Sequence, residues 1–460
     1  MTEGKTAPRD GNGAGNGEGG GKARKIAGAA LPLYLTMIAS SAGSLVDTAL
    51  LGRQGATSLA AFAVTVAVFS PAVAAISGAM RGVMPFVAAK DDDPDGLLPV
   101  VRNGMWLGIC VGLLGALAVA SVPLISRLSG VPDSTLDALG GFPYILACSA
   151  LVTSIGATAT STLVGLGQGK LVMRAGLTGT AAAVVLSLIL VGGIGSFDGL
   201  GLPGAGIAMV ASSLTNATLA HIALRRSTVL AGRPLRIGRP HLREVIRLAG
   251  VGIPLAATVL IKFAVLGVLS IAVARIGSDD AAVHSISVSL VNLMFTAAVA
   301  VGQATVPLAA KYVKTGDVPE VRRGVLAGIW VTFCAVFALG TLLVVLRDPV
   351  TSLFTKNAGL QDDVLAMLPL VLLVVVTDAF QAVFGFGLIA IKRTVPSLVT
   401  FAACYGVLAL AAVPVATAGG IHALWATLAC ANALLVVGQA FFFHQRSGRL
   451  RAVEPEPVNA

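Results

Sequence analysis

Continuous apolar runs of about 20 residues recur along this chain, and they constrain its fold more than any other feature, because a helix of that length crosses the ~30 Å hydrocarbon core of a bilayer. The composition agrees: 56% of the 460 residues are hydrophobic, 12% are charged, and the mean hydropathy is +0.88. A soluble domain could not bury so much apolar surface. A membrane β-barrel would show alternating segments of about ten residues instead of continuous runs. We therefore predict an all-α polytopic membrane protein with twelve transmembrane helices, over residues 27–51, 58–84, 101–122, 142–166, 171–194, 204–224, 245–274, 282–309, 323–346, 363–390, 396–416 and 420–444.

The basic residues predict the orientation of these helices. With the N-terminus inside, 25 of the 32 Lys and Arg residues fall on the cytoplasmic side and five on the other, while Arg81 and Lys262 lie within spans. The positive-inside rule therefore places both termini in the cytoplasm. We expect a multi-pass protein of a bacterial inner (plasma) membrane. The basic segment 225–247 has no aromatic interleaving, so no nucleic-acid partner is expected.

The second half of the chain repeats the first. Val101–Ile109 aligns with Val321–Ile329, and Pro85–Lys90 aligns with Pro307–Lys311. Each copy has six helices, an even number, so both copies insert with the same orientation and are related by a pseudo-two-fold axis. Parallel repeats of this kind occur in secondary transporters. The predicted parts are a disordered cytoplasmic tail (1–25), an N-terminal lobe with helices 1–6 (26–224), a basic cytoplasmic connector (225–243), a C-terminal lobe with helices 7–12 (244–446) and a cytoplasmic tail (447–460).

Asp47 lies inside the first apolar run, fifteen residues after Pro32. Only Asp47 and Asp378, of 22 acidic residues, fall well inside predicted spans. A carboxylate at that depth is costly and functional by default, so Asp47 is a candidate ion-coupling residue. Ser40 and Ser44 lie on roughly the same helical face, where they could hydrogen-bond Asp47 or simply pack closely.

Several segments resemble the multidrug and toxic compound extrusion (MATE) family over residues 26–445. They are Val46–Gly52 followed by Gly55–Ala61, Gly201–Ala208, and Asp378–Gln381 with Gly387, Leu388 and Lys392; Ala281–Ile286 is typical of the DinF-like subgroup. The loop Ala89–Gly96 lacks the signature of a major-facilitator protein. The resemblance implies a V-shaped pair of six-helix lobes that exports drug-like or metabolite molecules against an inward flow of protons or sodium.

The resemblance also implies roles for individual residues. Asp47 matches the first-helix aspartate, whose protonation is thought to bend that helix at the preceding proline, here Pro32. Asp378 matches the helix-ten aspartate, which in sodium-coupled members works with a helix-seven glutamate. At the position of that glutamate this chain has Lys262.

Lys262 supports three interpretations. It could pair with Asp378 and so replace a bound sodium ion, it could snorkel or seal a helix contact, or it could contact an anionic group of a substrate. The N-terminal lobe departs from the family as well, because Ala183 and Ser187 occupy places where DinF-like relatives often carry Asn and Asp. Asn292, Gln303, Thr377 and Gln381 are candidates for the wall of the central cavity.

The sequence therefore predicts a monomeric secondary exporter of small molecules by cation antiport, coupled to protons through Asp47 rather than to sodium. A lipid or polysaccharide flippase of the same superfamily is the alternative, and it would need several cationic residues in its cavity. A membrane transferase is a remote alternative, because no cluster of His, Asp and Glu residues appears. The chain has no nucleotide-binding Gly-x-x-x-x-Gly-Lys-Ser/Thr motif and no Cys-x-x-Cys spacing, so neither a cofactor nor a metal is predicted, and no enzyme activity.

Overall fold

The computed structural model describes residues 14–193, 199–227, 229–230 and 238–450, with side chains described from residue 20 onward. All regular secondary structure in these ranges is helical, as predicted. The helices are α1 (Ala14–Gln54), α2 (Ala56–Arg81), α3 (Met84–Ala88), α4 (Pro94–Ala120), α5 (Val122–Leu128), α6 (Asp133–Leu139), α7 (Phe142–Gly165), α8 (Gly169–Gly192), α9 (Leu202–Arg225), α10 (Leu242–Ala274), α11 (Ser278–Thr315), α12 (Val318–Val345), α13 (Arg347–Phe354), α14 (Ala358–Ala390) and α15 (Val395–Ser447).

Twelve apolar crossings are present in the described part of the chain. Eleven helical segments are long and apolar enough to span a membrane, with α2 and α3 together forming one of them. The helix α15 has 53 residues, which at 1.5 Å per residue is about 80 Å and enough for two crossings. It breaks at Gly420, whose φ of 69° lies in the left-handed region that glycine adopts without strain. This break separates the predicted helices eleven and twelve, so the predicted fold class is confirmed.

The prediction of a disordered tail over residues 1–25 is wrong for its second part, since α1 begins at Ala14. The extension is held by tertiary contacts: Lys22 forms an ion pair with Glu320 of α12, and Ile26 and Ala30 are buried. Residues 1–13 lie outside the described ranges, as do 228 and 231–237 of the predicted connector and 451–460 of the predicted C-terminal tail. The short helices α5, α6 and α13 were not predicted.

The two lobes repeat local structure at equivalent positions. In α1 the Thr36 hydroxyl donates to the Pro32 carbonyl at 2.9 Å, and about 220 residues later, in α10, Thr258 donates to Pro254 at 2.8 Å. Each hydroxyl donates to the carbonyl of the proline four residues before it in the same helix. The same motif in both lobes supports the pseudo-two-fold relation.

The lobes meet through two helix pairs that the pseudo-two-fold axis relates. The helix α1 packs against α11, and its equivalent α10 packs against α2. The α2–α10 contact joins Gly82 and Gly252 so closely that a Cβ atom on Gly252 would lie 2.3 Å from the Ala79 carbonyl oxygen. The α1–α11 contact buries Ala30 against Ala304. Small residues thus let the backbones of the two lobes approach each other.

Charged contacts between the lobes gather at one end of the bundle, which we call the basic end. The helices α1 and α10 begin at this end, and the turn from α14 to α15 lies there. The contacts are ion pairs of Lys22 with Glu320 and of Lys311 with Asp91, and cation–π contacts of Arg247 and Lys392 with the Phe86 ring, at 5.4 and 4.4 Å from its centroid. Toward the opposite end, α1 exposes Ser40, Ser41 and Ser44. The lobes are therefore closed at the basic end.

We expect Gly252→Ala to destabilise the protein by about 1–3 kcal/mol, because the new methyl group overpacks the α2–α10 contact. Gly267→Ala in the same helix is the matched control, since a Cβ there has no neighbour within 4 Å. That control gains up to about 1 kcal/mol of helix propensity. Thermal unfolding of the purified variants in detergent measures both effects. Equal unfolding midpoints for the two variants would contradict the close contact.

Candidate functional site

A cavity of about 420 Å³ lies within the N-terminal lobe, between α1, α2, α7, α8 and α9, and we call it the N-lobe cavity. Its polar lining consists mainly of hydroxyl groups, from Thr36, Ser40, Ser41, Ser44, Ser70, Ser149, Thr153, Thr180, Ser212 and Ser213. Among the described residues that line it, Asp47 alone is charged. The cavity therefore joins a hydrogen-bonding wall to a single carboxylate.

Asp47 is nearly buried, with 6% of its surface exposed, and the Ser187 hydroxyl of α8 donates to its Oδ1 atom at 2.5 Å. A close helix contact makes this bond possible. Gly176 of α8 has no room for a side chain, because a Cβ there would lie 2.2 Å from Cγ2 of Thr36 in α1. Asp47 Oδ2 has no hydrogen-bond partner among the described residues. One carboxylate oxygen is thus fixed and the other remains free to bind a proton or a ligand.

Ser40 and Ser44 line the same cavity four residues apart in α1. Pro32 is buried in α1, which runs without interruption from Ala14 to Gln54. The predicted hinge position therefore lies near the basic end, and the predicted carboxylate lies near the other end of the same helix.

A second group of hydroxyls on the cavity wall was missed from the sequence. The Ser213 hydroxyl lies 2.9 Å from that of Ser149 and 3.0 Å from that of Thr153. Ser149 and Thr153 are four residues apart in α7 and so share one helical face. That spacing, the same as for Ser40 and Ser44, was the available signal.

The C-terminal lobe holds a buried ion pair at its centre. Lys262 Nζ of α10 lies 2.8 and 2.7 Å from the two carboxylate oxygens of Asp378 in α14. The ammonium also lies 3.7 Å from the centroid of the Phe295 ring. The side chain of Asp378 is 3% exposed and that of Lys262 is 18% exposed. Both oxygens of the acid are therefore engaged by one tethered cation, which an aromatic face supports.

A hydrogen-bonded chain continues from this pair. Gln381 Nε2 donates to Asp378 Oδ1 at 2.8 Å, and Gln439 Nε2 donates to Ser397 Oγ at 3.1 Å and to Gln381 Oε1 at 3.4 Å. Gln381 is thus a buried partner of Asp378, and its place on the wall of the central cavity stays a prediction. Nothing in the sequence spacing pointed to Gln439 and Ser397, because they come from other helices.

Of the other residues predicted to line a cavity, one does so in the C-terminal lobe and two line neither of the cavities described here. Asn292 lines a cavity of about 20 Å³ beside Lys262 and Asp378, which we call the C-lobe cavity. Gln303 and Thr377 are not among the residues lining either cavity, and the Thr377 hydroxyl donates to the Leu373 carbonyl of its own helix. The C-lobe cavity has room for about one water molecule. The two lobes thus differ sharply at their centres.

The five cysteines are free, and four of them are exposed. Among the described residues no group of three or more His, Cys, Asp or Glu side chains could hold a metal ion.

Comparison with known proteins agrees with this architecture. Two similar proteins are each named probable multidrug resistance protein NorM. That of Aromatoleum aromaticum is 26% identical over 403 residues, which cover 83% of each chain. That of Pseudomonas putida is 23% identical over 433 residues, which cover 91% of this chain and 93% of the relative.

Solved structures share the fold. One is described as the outward-facing conformation of a multidrug resistance MATE family transporter of the MOP superfamily. It matches this chain with a TM-score of 0.83 and 19% sequence identity, and the match covers 94% of this chain and 97% of the solved structure. Another is a MOP superfamily transporter from Pyrococcus furiosus whose binding pocket is described as having reverse polarity. It matches with a TM-score of 0.82 and 18% sequence identity, and the match covers 93% of this chain and 96% of the solved structure. The MatE family model matches residues 32–189 and 254–415, once in each lobe. The chain therefore belongs to the MatE family, the multidrug and toxic compound extrusion family whose motifs its sequence resembles.

Proposed function

We propose that this protein is a secondary exporter of drug-like or metabolite small molecules and that inward proton movement through Asp47 drives it. The observation that carries the proposal is the N-lobe cavity, where one nearly buried carboxylate with a free oxygen meets a wall of hydroxyls. The names of the similar proteins support a multidrug substrate range. A volume of about 420 Å³ suits a small organic molecule, since ligand pockets span roughly 300–1,000 Å³.

Coupling follows from competition for one charge. An ionised carboxylate in a largely apolar lobe favours binding of a cation, either a proton or a cationic group on the substrate. If both bind at Asp47, proton entry on one side of the membrane displaces the substrate, and substrate entry on the other side displaces the proton. The hydroxyl wall can accept varied substrates, because each hydroxyl both donates and accepts hydrogen bonds.

The C-terminal lobe supports proton rather than sodium coupling. A sodium ion needs several oxygen ligands, and here Lys262 already engages both oxygens of Asp378. The C-lobe cavity beside the pair is only about 20 Å³. The lysine thus takes the place of a mobile cation, and Asp47 is the carboxylate left to exchange ions.

The same cavity linings favour an exporter over a flippase for anionic lipids or polysaccharides. Such a flippase would be expected to present several cations to its substrate. The described lining of the N-lobe cavity has none, and the lysine of the C-lobe cavity is paired.

The conformation fits one step of an alternating-access cycle. The lobes are closed at the basic end, where most of the residues predicted as cytoplasmic lie. In this proposal the protein is a monomer of the bacterial inner membrane, both termini are cytoplasmic, and the structure is the state open to the outside. Return to the inward-open state then requires the ion pairs of Lys22 and Lys311 to separate.

We expect Asp47→Asn to abolish proton-driven transport, because the amide cannot take up and release a proton. Purified protein in liposomes, loaded with a fluorescent cationic dye and given an imposed proton gradient, provides the measurement. Asp279→Asn changes an exposed carboxylate at the start of α11, outside the N-lobe cavity, and is the matched control that should retain wild-type rates. Full activity of Asp47→Asn would remove the proposal. Strict dependence of the wild type on a sodium gradient would also contradict it.

Removing one partner of the Lys262–Asp378 pair should cost more than removing both. Lys262→Met leaves a buried carboxylate unpaired and should lower stability by about 3 kcal/mol, whereas Lys262→Met with Asp378→Leu should recover most of that loss. The exposed Lys356→Met change is the control for loss of a lysine. The double-mutant cycle compares the unfolding midpoints, in detergent, of the wild type, Lys262→Met, Asp378→Leu and the double variant. Additive effects of the two single changes would show that the pair contributes no coupling energy.

The proposed orientation predicts which side a reagent reaches. In a background without the five native cysteines, Lys356→Cys should react with a membrane-impermeant maleimide on intact cells, and Lys314→Cys should react only after permeabilisation. Both positions are exposed and lie at opposite ends of the bundle, so they form a matched pair. The reverse pattern would place the termini outside.

A further inference from the structure

A second cavity in the C-terminal lobe has no part in the transport scheme above. It has a volume of about 370 Å³ and lies at the basic end, between the start of α10, the turn from α14 to α15 and both ends of α15. We call it the C-lobe crevice. Lys392 and Arg393 in the turn and Arg446 near the end of α15 contribute its charge, and no carboxylate is among its described lining residues.

The cations of this crevice have no carboxylate partner among the described residues. Neither Lys392, Arg393 nor Arg446 forms an ion pair with any described residue, whereas Lys22, Lys262 and Lys311 each have a carboxylate partner. The Nε atom of Arg446 is also buried without a hydrogen-bond acceptor within the described chain. A buried donor without an acceptor is unfavourable, so an anionic ligand would relieve it.

The first lobe provides an internal comparison. An equivalent crevice of about 540 Å³ lies there, and about 220 residues separate Gly28 in its wall from Gly250 in the wall of the C-lobe crevice. Each crevice is closed by a turn, and the two turns have the same hydrogen-bond pattern. Gly167 and Gln168 donate to Val164 and Leu163, just as Lys392 and Arg393 donate to Ile389 and Leu388. Lys392 therefore occupies the place of a glycine, and Arg393 that of a glutamine.

The exchange of glycine for lysine opposes backbone preference. Gly167 has a φ of 72° and Lys392 a φ of 58°, and Lys392 is the only described residue other than glycine with a positive φ. A side chain in this region costs about 1–2 kcal/mol. Burial, together with the nearby charges of Arg247 and Lys90, also lowers the pKa of Lys392 to about 8. Lys392 contacts the Phe86 ring of the first lobe, whereas Arg393 has no ion-pair partner among the described residues, so its charge is available to a ligand.

An apolar wall adjoins the charge. Val395 and Val399 are 54% and 56% exposed on the outer face of α15, and Phe442 also lines the crevice. These side chains continue from the crevice along the surface that faces the lipid. The crevice thus places cationic groups beside an apolar wall at the edge of a membrane span, which suits the anionic headgroup and the acyl chain of a phospholipid.

We propose that the C-lobe crevice binds an anionic phospholipid, with Arg393 and Arg446 at the phosphate and an acyl chain along Val395 and Val399. Arginine donates two parallel hydrogen bonds to phosphate, which favours it for this role. Basic pockets between transmembrane helices on the cytoplasmic side commonly bind anionic lipid headgroups.

The test measures lipid binding to the full chain in detergent. Phosphatidylglycerol and phosphatidylcholine are titrated separately, with thermal unfolding and native mass spectrometry as readouts. We expect phosphatidylglycerol, but not phosphatidylcholine, to raise the unfolding midpoint and to remain bound. Arg393→Gln with Arg446→Gln should weaken this binding by about fivefold for each arginine removed. The unfolding midpoint without lipid should stay unchanged, which separates lost binding from lost folding.

Lys25→Gln with Lys170→Gln is the matched control, since it removes two charges from the equivalent crevice of the first lobe. It should leave phosphatidylglycerol binding unchanged. Equal weakening by the two double variants would show a general effect of surface charge and would overturn the proposal. An equal rise of the unfolding midpoint with inorganic phosphate alone would assign the crevice to a soluble anion and would also overturn the proposal.

Discussion

The cost of an unpaired charge inside a membrane protein governs this structure. Asp47 and Asp378 are the buried carboxylates of the described chain, and each lobe stabilises its own acid differently. The C-terminal lobe supplies a lysine, an aromatic ring and a glutamine to Asp378. The N-terminal lobe supplies one serine hydroxyl to Asp47 and leaves an open cavity beside it. An acid that is fully satisfied by protein groups has little reason to exchange ions, whereas a partly satisfied acid beside a cavity can do so.

The internal repeat shows which features belong to the scaffold and which to function. The Pro-x-x-x-Thr hydrogen bonds and the turns after α7 and α14 recur at equivalent positions in both lobes, so they belong to the shared scaffold. The equivalent of Lys262 in the first lobe is Ser40, which lines the N-lobe cavity. One helix position therefore carries a hydroxyl in the lobe with an open cavity and a cation in the lobe whose cavity is filled. Divergence between equivalent positions marks functional specialisation here.

The sequence predicted the twelve crossings, the repeat and the two intramembrane acids because long apolar runs and isolated charges are local signals. It also identified Lys262 and Asp378 as possible partners, since a charge in a span needs one. It could not predict that Ser187 binds Asp47, because that bond depends on how α8 packs against α1. The bond from Gln381 to Asp378 follows from their spacing of three residues in α14, but the contact with Gln439 depends on how α15 packs against α14.

The closed end of the bundle is held by contacts that are weak enough to exchange. Ion pairs at or near the surface contribute about 0–1 kcal/mol each, and cation–π contacts contribute about 0.5 kcal/mol when exposed to about 2 kcal/mol when desolvated. Two of each give a few kcal/mol for the whole group. Moving a two-state equilibrium from 1:99 to 99:1 takes about 5.5 kcal/mol of differential binding. The charged contacts at the basic end are thus of the same order as the differential binding energy that such a shift requires. In the proposed mechanism, a single carboxylate that binds a proton in one state and a substrate in the other would supply this differential binding without a second ion site in the C-terminal lobe.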